Sequence, residues 1–92
     1  MQSIQTVHVY RELTGIFREV FDDDSIVLTP ETTAADIRDW DSANHVTLVV
    51  SIESRLKIRF KTFELEALHN VGHLAGLVNE KLNAKGIAAQ LQ

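Results

Sequence analysis

Asp39-Trp40-Asp41-Ser42-Ala43-Asn44-His45-Val46-Thr47-Leu48-Val49-Val50-Ser51-Ile52-Glu53-Ser54-Arg55-Leu56 is the stretch whose reading decides the class of this chain. Val46, Leu48, Val49, Val50, Ile52 and Leu56 follow one another at helical spacing and cover more than half of a helix circumference. The pattern predicts a helix from about Ser42 to Leu56 and makes it the most buried helix of the fold. Asp41 and Ser42 are residue types that begin helices, because their side-chain oxygens accept amide N–H groups that the first turn leaves unpaired. Trp40, just ahead of them, is placed to staple the chain as it enters the helix.

Upstream lies a long polar connection from Asp22 to Asp41. Asp22, Asp23 and Asp24 close the preceding helix, since carboxylates at a helix C-terminus oppose its dipole. Ile26, Val27 and Leu28 are too few for a strand and are expected to tuck the connection onto the core. Thr33 and Asp36 stand in capping-like positions for one brief helical turn. Before the connection, Val9, Tyr10, Leu13, Ile16, Phe17, Val20 and Phe21 recur every three or four residues, predicting a helix from about Gln5 to Phe21.

Downstream, Lys57 to Phe60 alternates polar and apolar, but four isolated residues make no sheet. They read as a linker with Ile58 and Phe60 turned inward. Thr62 to Leu68 forms a short helical segment anchored by Phe63, Leu65 and Leu68. Asn70 is an N-cap type, and Val71, Leu74, Ala75, Val78 and Leu82 mark the last helix. Gly86 is a plausible stop. The chain thus reads as all-α: one four-helix bundle over residues 1–92, with three longer helices, one short one and a long first loop. Its core spans about 5–85, and residues 86–92 are expected to fray.

Composition narrows the function classes. Ninety-two residues hold one domain. A formal net charge of -4 argues against a nucleic-acid partner, whose phosphates call for clustered Lys and Arg. With no cysteine there is neither a disulfide framework nor a thiolate metal site. Met1 to Tyr10 shows no basic start followed by an apolar run, and no stretch matches a membrane span, so a cytoplasmic location is expected. His69 and His73 are four residues apart, but they straddle the Asn70 cap and lack a third ligand, so no metal is expected. The Asp22–Asp24 run lacks the glycine and terminal glutamate of a calcium loop.

Ser42 is the candidate for chemistry. A phosphate ester on its hydroxyl would lie at a helix N-terminus, where unpaired N–H groups and the dipole favour negative charge. An Asp-Ser pair is by itself an ordinary helix start. The wider stretch from Asp39 to Glu53, however, resembles the phosphopantetheine site of acyl carrier proteins, in its Trp-Asp-Ser form. The resemblance extends through Leu56, Ile58, Phe60, Leu68 and Val71, and covers roughly Thr6 to Leu82.

That resemblance implies a 4'-phosphopantetheine arm, derived from coenzyme A, on Ser42, with Asp41 as its acidic neighbour. It implies an acyl or aminoacyl group held as a thioester, and a carrier that is not itself an enzyme. The implied partners are a phosphopantetheinyl transferase, a loading ligase or acyltransferase and a downstream synthase or transferase. The carrier is expected to be a monomer. Trp40, Ala43, Asn44, Thr47 and Glu53 would face these partners. Leu48, Val49, Ile52, Phe60, Leu68 and Val71 would either line an acyl cleft or simply fill the core.

Two departures matter. The family usually has Leu after the serine, where this chain has Ala43. Asn44, Thr47, Ser54 and Arg55 stand where acidic residues are common. Both point to a dedicated biosynthetic pathway rather than general fatty-acid synthesis. The alternatives are a helical adaptor that keeps the fold without the arm, and a small hydrolase built on Asp41, Ser42 and His45. The second lacks the Gly-x-Ser-x-Gly elbow and the bulk to enclose a substrate.

Overall fold

The apolar repeat at the start of the chain produces α1, Ile4–Phe21, in the computed structural model, which describes residues 4–90 and the side chains of residues 7–85. A 3-10 turn at Ala34–Asp36 interrupts the long connection, followed by α2 (Ser42–Leu56), α3 (Thr62–Glu66) and α4 (Val71–Gln90). No strand occurs among the described residues. α1 packs against both α2 and α4 and is the centre of the bundle. Val9, Leu13, Ile16 and Phe17 are at most 2% exposed. Each such side chain contributes about 1.5–3 kcal/mol by leaving water. α4 supplies Val71, Leu74, Ala75 and Val78 to the same core.

α2 is not the most buried helix, contrary to the expectation from its composition. Only Leu48 and Ile52 are buried, while Val46 and Val50 are 63% and 57% exposed. The reason is angular. Residues two apart lie about 200° around a helix, so the apolar set splits into an inner stripe, Leu48 and Ile52, and an outer stripe, Val46 and Val50. Phe63 is likewise 66% exposed and does not anchor α3; Leu65 within it and Leu68 just after it are half-buried. α4 runs past Gly86 to Gln90 instead of stopping there, and the remainder of the tail lies outside the described residues.

The long connection is pinned at both ends and in the middle. Asp22 leaves α1 in a left-handed conformation (φ 50°). Asp23 Oδ1 accepts the Ser25 hydroxyl and the Ser25 N–H, and these bonds, the hydroxyl's first, hold its carboxyl below the usual range. Ile26 is buried, Leu28 half-buried and Val27 exposed, and Arg18 Nε donates to the Ile26 carbonyl at 2.9 Å. Asp36 accepts the Thr33 N–H at 2.9 Å. The unpaired amides at the start of α4 find their partners on this connection: Val71 N–H donates to the Thr32 carbonyl at 2.7 Å, and Gly72 N–H to the Pro30 carbonyl at 2.9 Å.

Gly72 is required by that close approach. A Cβ there would lie 2.9 Å from the Pro30 carbonyl oxygen and 3.2 Å from Pro30 Cβ. Alanine in an open helix would gain about 1 kcal/mol over glycine. Here the backbone clash outweighs that gain, and Gly72→Ala is expected to cost about 1–3 kcal/mol. Urea titration checks it: an unchanged or raised midpoint would show that the connection is not fixed against α4.

α3 is short and depends on side-chain ties. Lys81 Nζ donates to Glu64 Oε1 at 2.8 Å, and the Lys61 N–H reaches the same oxygen at 2.7 Å. The Lys81 hydrogen bond first, and the Lys61 amide second, hold the Glu64 carboxyl below its ordinary value. A carboxylate depressed in the folded state adds stability that is fully present above its unfolded pKa. That stability is lost as pH falls through the lowered folded value. Wild type should therefore exceed Glu64→Gln in stability at neutral pH and converge with it in acid. A gap that stays constant with pH would refute the ion pair as its source.

Candidate functional site: the start of α2 and the cleft beside it

The connection enters α2 through a tightly held turn. Asp39 is left-handed (φ 70°), a conformation that Asp tolerates better than most residues. The Trp40 N–H donates to the Ile37 carbonyl at 3.3 Å, and the Asp41 N–H to the Asp39 carbonyl at 2.9 Å. Past this turn Trp40 is half-buried against the core, and Asp41 and Ser42 are exposed. The Trp40 ring meets Phe17 edge-on at 5.2 Å and lies 6.2 Å from Phe21. Its Nε1–H donates to His45 Nδ1 at 3.1 Å. Trp40 precedes the N-cap and His45 is the fourth residue of α2, so the pair forms the staple of the helix entry in a hydrogen-bonded, aromatic version. An indole N–H can only donate, so His45 Nδ1 is the acceptor of this bond.

Asp41 is the N-cap of α2: its Oδ1 accepts the Asn44 N–H at 2.9 Å. Asn44 Nδ2 in turn donates to the Asp39 carbonyl at 2.7 Å, tying the turn to the helix. Ser42 is the first residue of α2 and is exposed. A negative group on its hydroxyl would meet the positive end of the helix dipole. Asp41 is engaged by Asn44 and His45 by Trp40. Two of the three residues of the hydrolase reading, Asp41 and His45, are therefore committed to holding the helix entry, not to a relay with Ser42.

A cleft of about 430 Å³ opens beside Ser42. Leu48, Val49 and Ile52 wall it from α2, and Leu68 and Leu74 from the α3–α4 side. Four of the six candidate cleft residues are thus brought together. Phe60 and Val71 are not among its walls: Phe60 packs half-buried on the core, and Val71 is fully buried at the start of α4. Sequence reasoning missed Trp40, His45 and His69 as lining residues. The staple spacing of Trp40 and His45 was a usable signal. Nothing local links His69 to a serine so far away in the chain.

The five candidate partner-facing residues divide. Ala43 and Thr47 are exposed. Trp40 and Asn44 serve the helix entry, and Glu53 Oε2 accepts the Phe60 N–H at 2.9 Å, fixing the linker after α2. Val46 and Val50 take up that exposed face instead.

The two histidines near the cleft have an internal explanation. His73 Nδ1 accepts the His69 N–H at 3.2 Å, and Asn70 Oδ1 caps α4 through the His73 N–H at 2.8 Å. No group of three or more metal-binding side chains occurs among the described residues.

Comparison with known proteins supplies the family. No protein-family model matches the chain, and no curated protein sequence matches it. Among solved structures, the solution NMR structure of a holo acyl carrier protein from Geobacter metallireducens is similar. It is 57% identical and has a TM-score of 0.81, over 84% of this chain and 88% of that one. Identity at that level over most of both chains, with the same helical bundle, shows that this chain belongs to the acyl carrier protein family.

Proposed function

We propose that the chain carries an acyl or aminoacyl group as a thioester on a 4'-phosphopantetheine arm attached to Ser42. The observation that carries this reading is the placement of Ser42: an exposed hydroxyl on the first residue of a helix, capped by its neighbour Asp41, at the edge of an apolar cleft. The related protein is described as a holo form, which supports a prosthetic group on this chain as well. The arm would supply a terminal thiol and a flexible reach. The chain's own residues supply the rest. Asp41 and the Trp40–His45 pair hold the helix entry rigid. The dipole of α2 favours the phosphodiester charge. Leu48, Val49, Ile52 and Leu68 offer an apolar surface to a bound chain.

A tether of this kind raises the effective concentration of cargo at a docked enzyme without new contacts. The chain therefore works as a substrate and shuttle between enzymes. A dedicated pathway is the reading supported by Ala43 and by the uncharged outer stripe of α2, Val46 and Val50. No described helix is long and apolar enough to cross a membrane, which agrees with a carrier meeting its enzymes in the cytoplasm. Incubation of the apo chain with coenzyme A and the source organism's phosphopantetheinyl transferases tests the proposal by intact mass. One added phosphopantetheine is expected; none with any of them would favour an adaptor that keeps the fold without the arm.

A further inference from the structure

A phosphodiester on Ser42 would stand among charges of its own sign. Asp39 and Asp41 precede the serine and are exposed. No lysine or arginine lines the cleft beside it among the described residues. The dipole of α2 offsets part of this repulsion. The side chains left to donate a hydrogen bond to an anion there include two imidazoles, His45 from α2 and His69 from the α3–α4 side.

The two are not equivalent. His45 follows Ser42 by three residues on one helix, and such pairs are surface neighbours with about 5–6 Å between Cβ atoms. The turn that joins them is regular, since the His45 N–H donates to the Asp41 carbonyl at 2.8 Å. The His45 ring is also held. Its Nδ1 accepts the Trp40 indole N–H at 3.1 Å, and the two rings stack at 19°. Trp40 is itself set edge-on against the buried Phe17. A neutral imidazole that accepts at Nδ1 carries its proton on Nε2. Among the described residues no hydrogen bond engages that Nε2, and the ring borders the same cleft as Ser42. His69 is exposed on a different segment, and it is its backbone N–H that is tied, to His73.

We propose that the His45 Nε2–H, with its ring aimed by Trp40, donates to the phosphodiester of the arm on Ser42. The proposal rests on Ser42 being the attachment site. Hydrogen bonds then run in series, from indole N–H to imidazole and from imidazole N–H to phosphate oxygen, and each polarises the next. The last is the strong one, because its acceptor is ionised. Protonation of the imidazole would turn Nδ1 into a donor and release Trp40, while strengthening the bond from Nε2 to the anion. The other titratable groups lining the cleft are Asp41, whose Oδ1 is held by the Asn44 N–H, and His69; Asp39 lies in the turn before them.

Two measurements on the holo chain test this, with circular dichroism to check that each variant is folded. The first is the 31P resonance of the arm against pH. Histidine changes charge between about pH 5 and 8. A phosphodiester has no ionisation of its own in that window, so a step there reports a neighbouring group. The wild type should show one step. His45→Gln, which keeps a donor and an acceptor but does not titrate, should lose it, and His69→Gln should keep it. The second is urea unfolding of apo and holo forms. Attachment of the arm should raise the folding constant of the wild type about fivefold and that of His45→Ala less than about twofold, with His45→Gln between them. Loss of the Trp40 bond weakens apo and holo forms alike and cancels from this comparison.

A step that survives His45→Gln, or that His69→Gln removes, overturns the proposal. So does an arm that stabilises wild type and His45→Ala equally. A holo wild type whose 31P resonance is flat across the window ends this inference and leaves the Ser42 reading standing. A wild type that gains no mass with coenzyme A and the source organism's transferases removes both.

Discussion

Ser42→Ala is expected to abolish phosphopantetheine transfer completely, leaving the intact mass unchanged where the wild type gains one arm. The expectation rests on how the serines differ in place. Ser25 Oγ is tied to the Asp23 carboxylate within its own turn. Ser51 is half-buried within α2, and Ser54 lies in the last turn of that helix, beyond the reach of N-terminal amides. Ser42 alone among these four combines exposure with a helix N-terminus, where a phosphodiester is electrostatically favoured. The substitution should leave the fold intact. Asp41, not Ser42, caps α2, and alanine is a good helix former. A full arm on the Ser42→Ala chain would refute the assignment.

Phe17→Ala should be the most damaging single change to stability, at about 3–5 kcal/mol. Phe17 is fully buried on the central helix and lies 5.2 Å from Trp40 and 5.9 Å from Phe21. Its loss removes apolar area, leaves a cavity and withdraws the edge-on partner of Trp40. Domains of this size are stable by about 5–15 kcal/mol in total, so the variant should retain only a fraction of that. The damage should also reach the site, because Trp40 holds His45 and thereby the entry of α2. Urea unfolding measures the stability and the rate of arm transfer the second effect. A loss under about 1 kcal/mol would show that the aromatic cluster repacks around the gap.

Local physics was legible in the residues. The caps at Asp41 and Asn70 and the turn at Thr33 and Asp36 depend on contacts within a few residues. The apolar stripe of α1 was equally clear, since every large side chain on it faces the core. The same method failed on α2. Hydrophobicity counts how apolar a helix is, not how many neighbours are available to cover it. α2 touches its bundle along one stripe, and the valines on the other side stay in water.

By itself the sequence determined the helical class, the order of the helices and the serine at the start of α2, because periodicity and capping are properties of neighbouring residues. Tertiary structure decided the rest. It closed the cleft by bringing Leu68, His69 and Leu74 up to Ser42. It pinned the long connection to α4 through Pro30 and Thr32. It left Val46 and Val50 bare. Those outcomes depend on which surfaces meet when distant segments pack, and steric fit between segments far apart in the chain has no signature in the spacing of residues along it.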